Sequence, residues 1–87
     1  MSTEELIRQR LKVLEPETFT LEDESAQHRG HAGAASGGGH FRLTIVSPKF
    51  RNLSTLARHR LVYESMGEMM QREIHALSIT ALTPEEL

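Results

Sequence analysis

His40-Phe41-Arg42-Leu43-Thr44-Ile45-Val46-Ser47-Pro48-Lys49-Phe50, then a short polar break, then Arg58-His59-Arg60-Leu61-Val62-Tyr63-Glu64-Ser65-Met66, then Ile74-His75-Ala76-Leu77: this stretch decides the fold. Phe41, Leu43 and Ile45 alternate with polar residues, the period of a strand with one buried face, and Val46 makes the run apolar on both sides, as a central strand requires. Pro48 ends it. Ser54 is placed to cap a helix in which Leu56, His59, Tyr63, Met66 and Met70 recur at helical spacing, with Val62 and Met69 widening the stripe. The spacing predicts a long helix over most of residues 55–71, with the methionines filling core gaps. Gly67 inside that helix costs about 1 kcal/mol relative to alanine, which fits a close strand approach. Leu77, Ile79 and Ala81 alternate with Ser78 and Thr80, giving a strand near 76–82.

Working outward, Ser2 and Glu5 have the spacing of a capping box. Ile7, Leu11 and Leu14 follow at i, i+4, i+7, so a helix is expected over about 3–14, closed where Pro16 disfavours helical geometry at Glu15. Phe19 and Leu21 alternate with Thr20 and Glu22 as a short strand near 18–23. From Ala26 to Gly39 the periodicity vanishes into Gly, Ala, Ser and His, with glycines at 30, 33, 37, 38 and 39; the segment reads as a mobile loop, the least ordered internal part of the chain. Thr83-Pro84-Glu85-Glu86 is a second capping box, with proline at the first helical position. The order α-β-β-α-β, with an extra helical turn after strand two, makes one α+β domain over 1–87. Strands one and two pair as an antiparallel hairpin. Strand three returns through a helix and lies parallel to strand two by a right-handed crossover. The result is a three-stranded mixed sheet, strand two central, with the long helices on one face.

Eighty-seven residues bury a modest core, and the absence of cysteine leaves no disulfide framework. That absence fits a reducing compartment. The opening Met1-Ser2-Thr3-Glu4-Glu5 has neither a basic region nor an apolar run, and no segment approaches the length of a membrane span, so a soluble cytoplasmic protein is expected. A formal net charge of −2 argues against general nucleic-acid binding. The charge is uneven, however: Lys49, Arg51, Arg58 and Arg60 fall within twelve consecutive positions. That patch reads as a solvated helix face with a structural Arg58-His59-Arg60 corner, a DNA contact or a protein-docking surface. With no thiol, no Gly-x-Ser-x-Gly elbow and no spaced acid pair, the chain is not read as an enzyme. Gly30-His31-Ala32-Gly33 matches an RNA-clamping GxxG string, but between two strands, where the match is taken as chance.

The imidazoles gather at element boundaries: His28 and His31 in the loop, His75 at the mouth of strand three. Each alone reads as a solvated or hydrogen-bonded side chain. Together they suit a site that a partner completes better than a closed four-ligand zinc site. With Glu24-Ser25, His40-Phe41, Ser47, Phe50, Arg58-His59-Arg60, Tyr63 and Ile74-His75-Ala76-Leu77 in this order and spacing, the chain closely resembles the BolA family over nearly its whole length. Asn52 stands where members commonly have glycine, a change that left-handed geometry tolerates. The loop is about three residues longer than in short-loop members, so counting from one side selects His28 and from the other His31.

The resemblance implies an α-β-β-α-α-β fold related to class II KH domains. It implies a non-enzymatic adaptor that is monomeric alone and pairs with a monothiol glutaredoxin, the two holding a bridging 2Fe-2S cluster in iron-sulfur trafficking or iron and redox regulation. The glutaredoxin gives a thiolate and glutathione another sulfur. On this side His75 is the implied ligand, with His28 or His31 as the second, and no cofactor is expected in the isolated protein. Imidazole in place of thiolate makes such a cluster less negative and raises its potential. The rival reading, also a family property, is a DNA-binding transcriptional regulator of stress response and cell morphology, with Lys49, Arg51, Arg58 and Arg60 on phosphates.

Overall fold

The structure, a computed structural model, describes residues 2–25 and 39–87. Helix α1 spans Thr3–Leu11 and tightens into a 3-10 turn at Lys12–Leu14. The Ser2 hydroxyl accepts from the Glu5 amide at 3.1 Å, and the Glu5 carboxylate accepts from that hydroxyl, also at 3.1 Å. The box is therefore closed between side chains at its outer end. The stop falls at Glu15, which takes left-handed geometry with φ 49° ahead of Pro16.

Strand β1 (Thr18–Asp23) lies antiparallel to β2 (Gly39–Val46), and β3 (Ile74–Leu82) lies parallel to β2 on its other side. The order β1-β2-β3 puts strand two in the centre, as the sequence predicts. Phe41, Leu43 and Ile45 send one face of β2 into a core with Ile7 and Leu11 of α1 and Val62 and Met66 of α2 (Thr55–Met66). Both helices thus cover the same face. The opposite face is polar, with Thr20, Thr44 and Thr80 in one row and Glu22, Arg42 and Ser78 in the next.

Two expectations change. The helix predicted over 55–71 is α-helical only to Met66, because Gly67 takes φ 61° and turns the chain into a 3-10 segment, Gly67–Gln71. The apolar stripe is also rotated: Val62, Met66 and Met69 are buried, whereas Leu56 and Tyr63 are 60% and 39% exposed. Spacing alone counted residues from both flanks. The turn after β2 is a 3-10 turn, Pro48–Phe50, and Asn52 has φ 66°, the left-handed geometry expected of it.

Ser47 explains itself in this frame. It is fully buried; its hydroxyl donates to the Leu14 carbonyl and accepts from the Lys49 amide at 3.0 Å. One side chain thereby ties the end of the first helical segment to the end of the central strand. None of the described helices is long and apolar enough to cross a membrane.

Candidate functional site

His75 owes its position to an irregularity in the β2–β3 ladder. Gly39 pairs with Ile74 and His40 with Ala76, so His75 is one residue too many. In an unbroken alternation counted back from Leu77, which packs on the core, His75 would point into the core and Ile74 away from it. The bulge reverses this. Ile74 is 2% exposed, while His75 and Ala76 are both exposed. The imidazole of His75 is therefore presented on the polar face, with the ring of His40, half-buried, 5.0 Å away between centroids.

The surroundings hold this arrangement. The Gly39 amide donates to the Glu73 carbonyl at 3.0 Å, the His40 amide to Ser25 Oγ at 3.0 Å, and the Glu24 amide to the His40 carbonyl at 2.7 Å. Asp23 Oδ1 accepts from the Ser25 amide at 2.9 Å, and hydrogen bonding from the Ser25 side chain first and this amide second holds the Asp23 carboxyl below its usual range. Gly39 is required sterically, because a Cβ there would stand 2.5 Å from Cε2 of Phe41. The sequence placed His75 at the mouth of strand three, where the structure has it, and did not single out His40. Nothing in a one-dimensional pattern announces a bulge, so the pairing of the two rings could not be seen in it. His28 and His31 lie outside the described residues, as does the loop expectation. Among the described residues no three His, Asp or Glu side chains gather as a metal site. Two imidazoles do.

The cations sit elsewhere. Lys49, Arg51 and the reach of Arg58 lie where β2 and β3 end, six ladder positions from His40, or about 20 Å along the strands. Lys49 Nζ lies 3.5 Å from Glu15, and Arg51 Nε donates to Glu85 at 2.8 Å. That hydrogen bond raises the Arg51 pKa and lowers that of Glu85. Arg58, with its side chain only 12% exposed, donates to the carbonyls of Leu53 and Ala81, each at 3.0 Å, and to Glu86 at 2.6 Å. Arg60 is exposed and makes no ion pair among the described residues. The structure brings three of the four cations to one end of the sheet and answers each with a carboxylate. Arg58 is a structural clasp, as the corner reading of Arg58-His59-Arg60 expects.

The family model described as BolA-like protein matches residues 11–86. This chain belongs to the BolA family. It is 43% identical to BolA-like protein 1 of Mus musculus over 84 residues, covering 95% of this chain and 59% of the mouse protein. With the DNA-binding transcriptional regulator BolA of Haemophilus influenzae it shares 36% over 87 residues, covering 99% and 82%. The solved BolA domain of SufE1 from Arabidopsis thaliana superposes with a TM-score of 0.85 at 40% identity, covering 100% of this chain and 99% of that domain. Within SufE-like protein 1 itself, the match spans 24% of the length. The BolA fold accounts for the helix order and the mixed sheet.

Proposed function

We propose that the protein is an adaptor that pairs with a monothiol glutaredoxin and lends histidine ligands to a shared 2Fe-2S cluster. The observation that carries the reading is the bulge, which puts His75 outward beside His40 at 5.0 Å in a chain without cysteine. The residues fit the group. Imidazole nitrogen is an established ligand to one iron of a two-iron cluster, and a chain with no thiolate must leave the remaining positions to sulfur from elsewhere. The cluster, bound between the proteins, supplies a one-electron centre or a cargo to hand on. His75 offers its ring from a bulge whose flanking residues, Ile74 and Ala76, are paired with β2, which limits the entropy lost in orienting it. His28 or His31 provides the second nitrogen from the loop, and His40 stands beside His75 as a further donor.

The test is co-purification with a monothiol glutaredoxin, glutathione and iron, followed by the visible spectrum. The pair is expected to show cluster absorbance that neither protein shows alone. His75→Ala is expected to abolish it with the far-UV spectrum unchanged. His28→Ala or His31→Ala singly should weaken it, and the double variant should be markedly worse than either. A wild-type cluster spectrum in the His75→Ala pair would remove the assignment.

DNA binding is the second reading, favoured by the similarity to the DNA-binding transcriptional regulator BolA of Haemophilus influenzae. The carboxylates on Lys49, Arg51 and Arg58 weigh against it, since each must be displaced before a phosphate can be met. Salt titration of duplex affinity decides: phosphate contacts give a slope of about −0.9 each in log affinity against log salt.

A further inference from the structure

β3 is an outer strand, and its free edge differs from its counterpart across the sheet. The Leu82 carbonyl accepts from the Ser47 amide at 2.9 Å, so even-numbered residues turn their backbone groups towards β2. The Ala81 carbonyl, taken instead by Arg58, faces outward. By alternation Leu77 and Ile79 also present N–H and C=O to the outside, where no described strand pairs with them. Such edges are usually blunted by lysine, proline or charge. Ile74–Leu82 carries none of these in its own sequence and is met by a charge at Ala81, through Arg58, whereas β1 ends in Glu22-Asp23 and has Arg8 4.6 Å over its Phe19 ring. The helix above continues the pattern. Arg58 reaches the β3 edge, so Leu61 and Ser65, three and seven residues on, share that flank; both are half-buried and uncharged.

We propose that two copies of this chain associate by antiparallel pairing of β3 with β3 about a two-fold axis at Ser78. The strand is self-complementary in that register. Ser78 is the midpoint of Ile74–Leu82, so the axis pairs Leu77 with Ile79 of the second copy and Ile79 with its Leu77. These are the residues whose backbone groups face out, and they form the hydrogen-bonded pairs. Ser78 meets its own copy in the closely spaced, non-hydrogen-bonded position. Leu77 and Ile79 are only half-buried in one copy, and pairing carries the core row on into the second. No like charges meet, as an isologous contact demands. The sheet becomes six-stranded with the helices on one side. This replaces the monomer that the family resemblance implies for the isolated chain, and it rests on the sheet edge alone.

The test is sedimentation of the full chain over a range of concentrations, with engineered thiols. Wild type should show a concentration-dependent monomer–dimer equilibrium. Ser78→Lys, at an exposed position, should sediment as a monomer throughout with an unchanged far-UV spectrum. The chain has no cysteine, so Ser78→Cys introduces a single thiol whose Cα lies about 4.5 Å from its copy, within disulfide reach. Thr80→Cys places its thiols four residues of strand apart, about 13 Å. Mild oxidation should cross-link the Ser78→Cys protein several-fold faster than the Thr80→Cys protein. A wild type monomeric at every concentration, a dimer that survives Ser78→Lys, or equal cross-linking rates would overturn the proposal.

Discussion

Arg58 shows how one side chain's contacts settle what its neighbourhood in sequence leaves open. Flanked by His59 and Arg60, it reads either as part of a basic patch or as a structural corner, and its guanidinium decides for the corner by donating to two main-chain carbonyls and one carboxylate. Removing it leaves those carbonyls unsatisfied, so Arg58→Ala should cost about 2–3 kcal/mol in urea unfolding. Arg58→Lys should recover only part of that, because an ammonium lacks the planar fork. Arg51→Ala, at an exposed pair, should leave the unfolding midpoint nearly unchanged. Glu86 adds a pH signature. Its hydrogen bond from Arg58, with the Thr83 amide second, lowers its pKa from 4.5 to about 2. A depressed folded-state value means stability fully present above about 4.5 and lost as pH falls towards about 2. Glu86→Gln should therefore flatten the acid limb of a stability–pH curve across that window. His40 is the converse case: visible in the sequence as the opening of a strand, it joins the site only because of a register shift that no residue type encodes.

Backbone conformation at a few positions sets where the elements begin and end. Gly39 closes the bulge against the Phe41 ring, so Gly39→Ala should cost about 1–3 kcal/mol through displacement of that buried ring. The same change should shift the NMR resonances of both His40 and His75. Glu15 pays for left-handed geometry after the first helical segment. Glu15→Gly should stabilise the protein by up to about 1 kcal/mol despite losing the contact with Lys49, read as a rise in melting temperature. The periodicities that announce α1, β1 and β2 are strong because the apolar residues of each fall on one face, with Val46 the exception. α2 and β3 were legible in kind and less so in extent. Met69 is buried beyond a positive-φ glycine, which breaks the helix without breaking the apolar pattern, and Ile74 is buried ahead of a bulge, which resets the strand's phase.

At the scale of the molecule the topology was legible because it follows from few choices: a strand that gains an apolar residue on its second face, as β2 does at Val46, reads as central, and a helix-linked return reads as parallel. The separation of the two candidate sites was not, since residues 40 and 75 meet only through sheet pairing, while residues 49–58 fold back onto the chain's last turn. Amide exchange should read the sheet strand by strand: in dilute protein the Ser78 and Thr80 amides, bonded to β2, should exchange more slowly than the outward amides of Leu77 and Ile79. The loss of that contrast at high concentration would report pairing of the edge. The unequal fastening of the two ends of the sheet has one more consequence. Where β2 and β3 finish, the Ser47 hydroxyl, the Arg58 fork and the Glu86 cap bind four segments of chain together; where they start, the main chain beside the histidines is held by main-chain hydrogen bonds and one to the Ser25 hydroxyl, with no buried guanidinium among the described residues to fasten it. Opening fluctuations should therefore start from the histidine end and die out before the clasp, like a zipper with a fixed stop. A partner arriving at His75 meets the half of the molecule that can yield to it, while the other half keeps the fold's identity intact.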